Sequence, residues 1–368
     1  MRLALRLARR GHGHTSPNPM VGAVLVKGAA IIGRGWHRRA GLPHAEIEAI
    51  ENARRIGHDP KGSTLYVTLE PCCTFGRTPP CTAAIVEAGV REVHFAATDP
   101  NPAHHGRATR ILRRHGVKVE TGLCRSQAQE LNEYFNHWIV HRTPFVVLKS
   151  AMSFDGRIAT RTGESKWLTG AKARAHAMDL RRGVDAILVG INTVLADDPA
   201  LTCRSKNAQD RTPTEARRRI VLDAMARTPL SAQVTSDDYA RKTVVVASRS
   251  APARRVRALE KRCEVWIAPT REGKIDLGWL LQRLGQEQLT SLLVEGGGQV
   301  LGSFLDRRVA QRIAFFYAPL ILGGETAPRA VAGIGVRRVS EALQLEQVRW
   351  RKLGSDLLLT ARIASPQG

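Results

Sequence analysis

Thr64-Leu65-Tyr66-Val67-Thr68-Leu69-Glu70-Pro71-Cys72 and, after eight intervening residues, Cys81-Thr82-Ala83-Ala84-Ile85-Val86-Glu87-Ala88-Gly89 decide how the first part of the chain is built. Thr64 to Leu69 is rich in β-formers and predicts a strand. Pro71-Cys72 ends it and opens a turn. Pro79-Pro80 stand directly before Cys81, and Thr82 to Ala88 predicts a helix closed by Gly89. Strand and helix alternate on both sides of this stretch. Helices are expected at Leu3–Arg10, Ala45–Ile56, Arg107–His115 and Gln127–His141. Strands are expected at Val21–Val26 and Ile31–His37, paired as a hairpin across Lys27-Gly28-Ala29, and at Val93–Thr98 and Val117–Glu120. The pattern predicts an α/β layered sandwich.

Arg142-Thr143-Pro144 interrupts this pattern, so the chain is divided into domains at 1–143 and 144–368. At 368 residues, length alone favours about two domains. The second half alternates again. Strands are expected at 145–149, 185–189, 219–222, 243–246, 264–267, 291–295 and 312–317. Helices are expected at 171–182, 253–261, 277–284 and 299–306, with a polar loop at 204–218.

Composition narrows the function classes. Six cysteines in so long a chain do not make a disulfide framework. No apolar run reaches the ~18 residues of a membrane span. The basic start Met1–Arg10 lacks the long apolar core and small-residue cleavage site of a secretory signal, and reads as an amphipathic helix. A cytoplasmic location and no membrane partner are expected. The net charge of +23 is spread over both halves. Such a field attracts phosphate esters and nucleic acid alike. With aromatic residues at 5% and no RNA-binding signature, no specific nucleic-acid partner is expected.

Three short motifs carry chemistry. His44-Ala45-Glu46 opens a predicted helix, Cys72 follows a strand, and Cys81 opens the next helix. One His and two Cys are three zinc ligands, which leaves a fourth position for water. Zinc lowers the pKa of bound water to about 7. Glu46, two residues after His44, reaches that water without ligating the metal and moves its proton. His-x-Glu with Pro-Cys-x-x-Cys is the arrangement of zinc deaminases, and here the second cysteine stands further off, as Cys72-x8-Cys81. The residues therefore imply a zinc-dependent deaminase with His44, Cys72 and Cys81 as ligands and Glu46 as the catalytic acid–base.

The assembled set resembles the RibD family of bifunctional riboflavin-biosynthesis proteins. It runs Thr15-Ser16-Pro17-Asn18-Pro19-Met20-Val21-Gly22, Pro43-His44-Ala45-Glu46, Thr68 to Cys72 and Gly76 to Cys81. Asp99-Pro100-Asn101-Pro102 and Leu131-Asn132-Glu133-Tyr134-Phe135 continue it. The resemblance implies a cytidine-deaminase-like N-terminal domain whose substrate is a diaminopyrimidine carrying a phosphoribosylamino group, with Asn18 touching it. The family's Pro-Cys-Ser-His is Pro71-Cys72-Cys73-Thr74 here. In the family that His lies near the substrate, so a reductase with a crippled deaminase is the rival reading. The retained ligands and Glu46 favour an active one.

In the second half, Leu292-Leu293-Val294-Glu295-Gly296-Gly297-Gly298 reads as a buried strand that ends in glycines and enters a helix. Such a turn suits a phosphate at a helix N-terminus, although it is not a GxGxxG fingerprint. A glycine turn with no ligand is about as good a reading. Lys149 and Asp155 are a candidate structural pair. The resemblance extends through Lys149 to Arg157, Gly163 to Thr169, Val189 to Pro199 and Leu201 to Arg204. It implies a dihydrofolate-reductase-like α/β domain that uses NADPH. NADPH would contact Ala151, Trp167, Thr193, Asp197 and the turn Gly297, Gly298, Gln299, Val300, Leu301, Gly302, Ser303. The substrate would contact Ser165, Arg181, Leu201, Arg204 and Glu295, with Arg181 and Arg204 on its phosphate. The resemblance also implies a homo-oligomer.

Overall fold

The structure, a computed structural model, describes residues 1–75, 79–203 and 217–364. The chain forms two compact units, Met1–Arg142 and Thr143–Gly368.

The first unit opens with helix α1 (Arg2–Ala8) and the hairpin β1 (Gly22–Lys27) and β2 (Ala30–Trp36). Then come α2 (Ala45–Arg55), β3 (Thr64–Leu69), α3 (Cys81–Glu87), β4 (Glu92–Ala97), α4 (Arg107–Arg114) and β5 (Lys118–Thr121). The five strands form one sheet in the order β2-β1-β3-β4-β5. Strands β3, β4 and β5 are parallel, while β1 runs antiparallel to both neighbours. Leu25, Leu65, Val67 and Phe95 of the strands pack with Ile50, Ile85 and Leu112 of the helices in the core. Two glycines of β2 set the approach of α2. A Cβ on Gly33 would fall on the carbonyl oxygen of Ala49, and one on Gly35 on that of Ala45. With no side chain there, the helix backbone lies directly against the strand. The first turn of α2 carries His44 and Glu46, so this contact fixes their height over the sheet.

The single helix expected at 127–141 is two helices, α5 (Arg125–Leu131) and α6 (Glu133–His141). Asn132 between them leaves the helical region, at φ −109 and ψ 23. Its buried side chain instead binds a distant backbone: Met20 N–H donates to Oδ1 at 2.8 Å, and Nδ2 donates to Met20 O at 2.9 Å. A tertiary hydrogen-bond pair thus overrides local helix propensity.

The second unit begins with β6 (Phe145–Ser153), α7 (Ala171–Arg182), β7 (Ala186–Gly190), α8 (Ile191–Asp197), β8 (Arg218–Leu222) and α9 (Gln233–Ser236). It continues with β9 (Thr243–Ser248), α10 (Ala253–Glu260), β10 (Glu264–Ala268), the short hairpin β11 (Thr270–Arg271) and β12 (Lys274–Ile275), and α11 (Leu277–Gln286). β13 (Ser291–Val294), α12 (Gly298–Asp306), β14 (Arg312–Ala318), β15 (Leu345–Leu353) and β16 (Asp356–Ile363) complete it. One sheet holds nine of these strands in the order β10-β9-β8-β7-β13-β6-β14-β16-β15. Seven are parallel, and β16 and β15 join antiparallel at one edge. The apolar runs of the central strands match burial on both faces. Strand β6 continues past Lys149 to Ser153 because β14 pairs with it along that whole stretch. Among the described residues no helix is long and apolar enough to cross a membrane.

Candidate active site

In the first unit the three motifs converge. His44 is the N-cap of α2, Cys81 is the first residue of α3, and Cys72 lies in the turn after β3. His44 Nδ1 is 3.3 Å from Cys81 Sγ and 3.5 Å from Cys72 Sγ, and the N–H of Cys81 donates to Cys72 Sγ at 3.2 Å. The three donor atoms all lie within 4.8 Å of one another, so this group can hold a metal ion. One imidazole and two thiols are the donor set zinc prefers, and three protein ligands leave a position open. The hydrogen bond between the two thiols lowers the pKa of Cys72 and raises that of Cys81. Glu46 is fully buried beside them. Burial first, then the neighbouring Cys72, pushes its carboxyl up to about 7.

Asn18 sits across from this cluster through His37. Asn18 Nδ2 is 3.1 Å from His37 Nε2, and His37 Nδ1 is 3.1 Å from the carbonyl of Pro43, next to His44. A carbonyl can only accept, so Nδ1 carries the proton and Nε2 accepts from Asn18. Burial lowers the pKa of His37, in keeping with a neutral ring. The Asn18 amide is thereby held with its NH₂ on His37, which turns its oxygen to another donor. Two supporting residues carried no signal as separate motifs. Asn132 grips Met20, two residues after Asn18. Buried Glu70 accepts from the N–H groups of Gly106 and Ala108 at 3.0 and 3.1 Å, and so ties α4 to the strand that delivers Cys72. Cys73 lies 3.6 Å from His104 Nδ1 and outside the three-residue cluster.

In the second unit Glu295 follows β13 and Lys149 lies in β6. The parallel register sets Val294 beside Leu148, so the next residues of each strand are neighbours. Lys149 Nζ is 3.7 Å from Glu295 Oε2. Arg181, from the last turn of α7, clasps the same carboxylate: Nε donates to Oε1 at 2.7 Å and Nη2 to Oε2 at 2.9 Å. Burial acts to raise the Glu295 carboxyl, but the charges of Arg181 and Lys149 overrule it and hold it at about 2. The candidate pair of Lys149 with Asp155 does not form. Asp155 accepts instead from Ser153 Oγ and from the N–H groups of Leu322 and Gly323.

Ser165 and Asp197 meet, with Ser165 Oγ donating to Asp197 Oδ1 at 3.1 Å. Trp167 is 73% exposed, with the Arg174 guanidinium 5.0 Å from its ring centre. Thr193 lies in α8 and Ala151 in β6. Leu201 is buried, and Arg204 lies outside the described residues. The turn 297–303 divides in two. Gly298 and Gly302 are packing glycines: a Cβ on either would fall on the carbonyl oxygen of Arg329 or Ala332. Leu301 is buried in the core. Gly297 has open space where a Cβ would stand, Gln299 is exposed, and no side chain caps the first turn of α12. An uncapped helix start behind an open glycine suits a phosphate group.

Residues 1–97 match the cytidine and deoxycytidylate deaminase zinc-binding region, and residues 144–359 match the RibD C-terminal domain. The riboflavin biosynthesis protein RibD of Aquifex aeolicus is 42% identical over 98% of this chain and 96% of its own length. That of Actinobacillus pleuropneumoniae is 39% identical over 100% of this chain and 95% of its own. Among solved structures, Acinetobacter baumannii RibD superposes with a TM-score of 0.87 at 34% identity, covering 99% of this chain and 98% of that one. A diaminohydroxyphosphoribosylaminopyrimidine deaminase/5-amino-6-(5-phosphoribosylamino)uracil reductase from Thermotoga maritima gives 0.85 at 35%, covering 99% and 97%. Likeness of this extent, running through both units, means that the chain belongs to the RibD family of riboflavin biosynthesis proteins.

Proposed function

We propose that the two units of this riboflavin-biosynthesis enzyme act in turn on one phosphorylated pyrimidine. The first removes ammonia from 2,5-diamino-6-(5-phosphoribosylamino)pyrimidin-4-one. The second reduces the resulting 5-amino-6-(5-phosphoribosylamino)uracil to its ribityl form. The observation that carries the reading is buried Glu46 beside the His44–Cys72–Cys81 cluster.

In the deaminase, His44, Cys72 and Cys81 hold zinc. Zinc held there would supply a water acidic enough to attack near neutral pH. Glu46, whose carboxyl burial raises to about 7, would take the two protons of the attacking water in turn, giving the first to the ring nitrogen and the second to the leaving amine. Asn18 presents its amide oxygen to a ring substituent, because His37 already holds its NH₂. Glu46 and Cys81 are buried, while His44 and Cys72 remain partly accessible.

In the reductase, Ala151, Trp167, Thr193, Asp197 and the 297–303 turn hold NADPH, the turn through the N–H groups of Gly298 and Gln299 at the uncapped start of α12. When bound, NADPH supplies a hydride to ribose C1′. Glu295 stays anionic between Arg181 and Lys149 and orients the sugar. Arg181 spends three of its five N–H groups on Glu295 and on Thr202 O, which leaves two for the substrate phosphate, a role proposed for Arg204 as well. Ser165 and Leu201 complete that side. The free thiols support a cytoplasmic enzyme, and the family resemblance supports a homo-oligomer.

The test is a coupled assay on the purified chain. Ammonia is followed with the diaminopyrimidine substrate, NADPH is then added and its loss followed, and both are repeated with Glu46→Ala. Glu46-dependent ammonia release followed by NADPH consumption supports the reading. NADPH loss with the deaminated intermediate only, and no ammonia in the wild type, would leave a reductase with an inactive first unit.

A further inference from the structure

We propose that Arg219, a buried residue of β8, is a positioning residue that fixes the Asp198–Thr202 wall of the reductase site. This rests on the reading that Leu201 and Arg181 face the ribosyl substrate. Arg219 is 1% exposed, yet every N–H of its guanidinium has a partner. Nε donates to Thr243 Oγ1 at 2.9 Å. Nη1 donates to Ala200 O at 2.9 Å and to Asp237 Oδ2 at 2.7 Å. Nη2 donates to Val234 O at 3.1 Å and to Asp237 Oδ1 at 2.8 Å. Five donors are all that an arginine has.

The bond to Ala200 gains its importance from the neighbouring residues of the wall. Two positions further along the chain, the carbonyl of Thr202 accepts from Arg181 Nη1 at 3.2 Å. Leu201 lies between these two held carbonyls at φ 51, in the left-handed region that leucine enters only when its surroundings impose it. Asp198 at the other end of the segment is also left-handed, at φ 40. Gln233 grips it twice, with its N–H on Asp198 Oδ1 at 2.8 Å and its Nε2 on Asp198 O at 2.6 Å. Gln233 begins α9, whose next residue, Val234, gives its carbonyl to Arg219. The wall, α9 and β8 are therefore one hydrogen-bonded unit centred on one guanidinium.

Stability alone does not explain a charge at this place. A buried ion pair is on balance no more stabilising than well-packed apolar side chains, and Val221 and Val245 on the same face of the sheet and Val234 of α9 are apolar and buried. What apolar packing does not supply is a directed bond to Ala200 O. Lysine would keep the charge beside Asp237 but has three donors on one nitrogen, too few and too close together to span Ala200, Val234 and Thr243.

The experiment compares full-length wild type, Arg219→Lys and Asp237→Asn. Reductase kinetics are measured with the deaminated intermediate and NADPH, and ammonia release is measured on the same samples. We expect KM for the pyrimidine to rise about tenfold in Arg219→Lys and a few-fold in Asp237→Asn. KM for NADPH and ammonia release should stay at the wild-type values. A merely structural role would lower the fraction of active enzyme, reducing apparent kcat with both KM values unchanged. That pattern, or equal rises in both KM values, overturns the proposal. If Arg219→Lys does not fold, Asp237→Asn decides by the same criteria. A wild type that does not reduce the intermediate overturns the substrate reading itself, and the proposal with it; an active wild type with unshifted variants overturns the proposal alone.

Discussion

Arg181 and Glu295 form a two-point ion pair, 2.7 and 2.9 Å long, between the last turn of α7 and the end of β13. The pairing makes the second unit sensitive to acid in a defined direction. The Glu295 carboxyl lies at about 2 in the fold against 4.5 ordinarily. A lowered carboxyl contributes stability that is complete above its unfolded value and is lost as pH falls through the folded one. The window is therefore pH 4.5 down to 2, and the stability at stake is at most about 3 kcal/mol. Hydrogen exchange at the β13 amides should show protection falling across that window in wild type and much less in Glu295→Gln. Equal slopes in the two proteins would show that the pair does not carry the effect. At neutral pH Glu295→Gln should cost at least as much as Arg181→Ala, each about 3–5 kcal/mol, because it leaves the largely buried Arg181 and Lys149 without a carboxylate, whereas Arg181→Ala leaves Glu295 with Lys149.

Asn132 offers a second test, at the other site. Its amide holds both backbone groups of Met20, and Met20 leads back to Asn18. Asn132→Ala should cost about 1–3 kcal/mol for the buried groups left unpaired. It should also raise KM for the diaminopyrimidine while metal content stays full, since no ligand moves. Asn132→Asp keeps the acceptor for Met20 N–H but sets an oxygen against Met20 O. It should therefore behave like alanine or worse. Loss of metal in either variant would mean that Asn132 supports the whole unit rather than the Asn18 turn.

The two variants also show how far the sequence could be read. His44, Glu46, Cys72 and Cys81 were legible because each sits at a helix start or strand end, where local residues such as Pro71 and Pro80 announce the geometry. The parallel strands were legible because burial on both faces makes them continuous apolar runs. Asn132 was not, since its partner lies 112 residues away and helix propensity runs straight through it. Nor was the Lys149–Glu295 contact, which depends on β6 and β13 being adjacent although they are far apart in sequence. Strand β15 was missed for another reason. Leu345-Glu346-Gln347-Val348-Arg349-Trp350-Arg351-Lys352 is exposed along its length, so no buried face imprints an alternation on it. The signal that was present is Gly354-Ser355, a two-residue turn between Leu353 and Asp356 of the hairpin. In the 297–303 turn, glycine content pointed to a phosphate cradle, yet Gly298 and Gly302 serve the packing of the chain at Arg329 and Ala332.

Close packing gives a prediction that separates the two activities. An alanine at Gly35 would set its Cβ on the carbonyl oxygen of Ala45, inside the first turn of α2. Backbone does not yield as a flexible side chain does, so the helix start must shift. Overpacking of this kind costs about 1–3 kcal/mol, occasionally more. His44 and Glu46 move with that turn. Gly35→Ala should therefore lose zinc affinity and ammonia release while NADPH-dependent reduction of the deaminated intermediate continues. Purified variant with full zinc and wild-type deamination would show that β2 does not set the height of α2.

The thiols give the sharpest test of the metal reading, because three cysteines lie close in sequence or space and only two belong to the cluster. Cys72 and Cys81 each approach His44 and each other, whereas Cys73 turns to His104. Cys72→Ser and Cys81→Ser replace a soft thiolate with a hydroxyl that zinc binds poorly. Both should fall well below one zinc per chain by elemental analysis and release no ammonia. Cys73→Ser should keep one zinc per chain and most of its deaminase rate. A chelator should act on the wild type as the two ligand variants do, abolishing ammonia release and sparing the reductase, with recovery on adding zinc back. If Cys73→Ser loses the metal and Cys72→Ser retains it, the ligand assignment between these adjacent residues is reversed, and the turn after β3 must deliver the other thiol to His44.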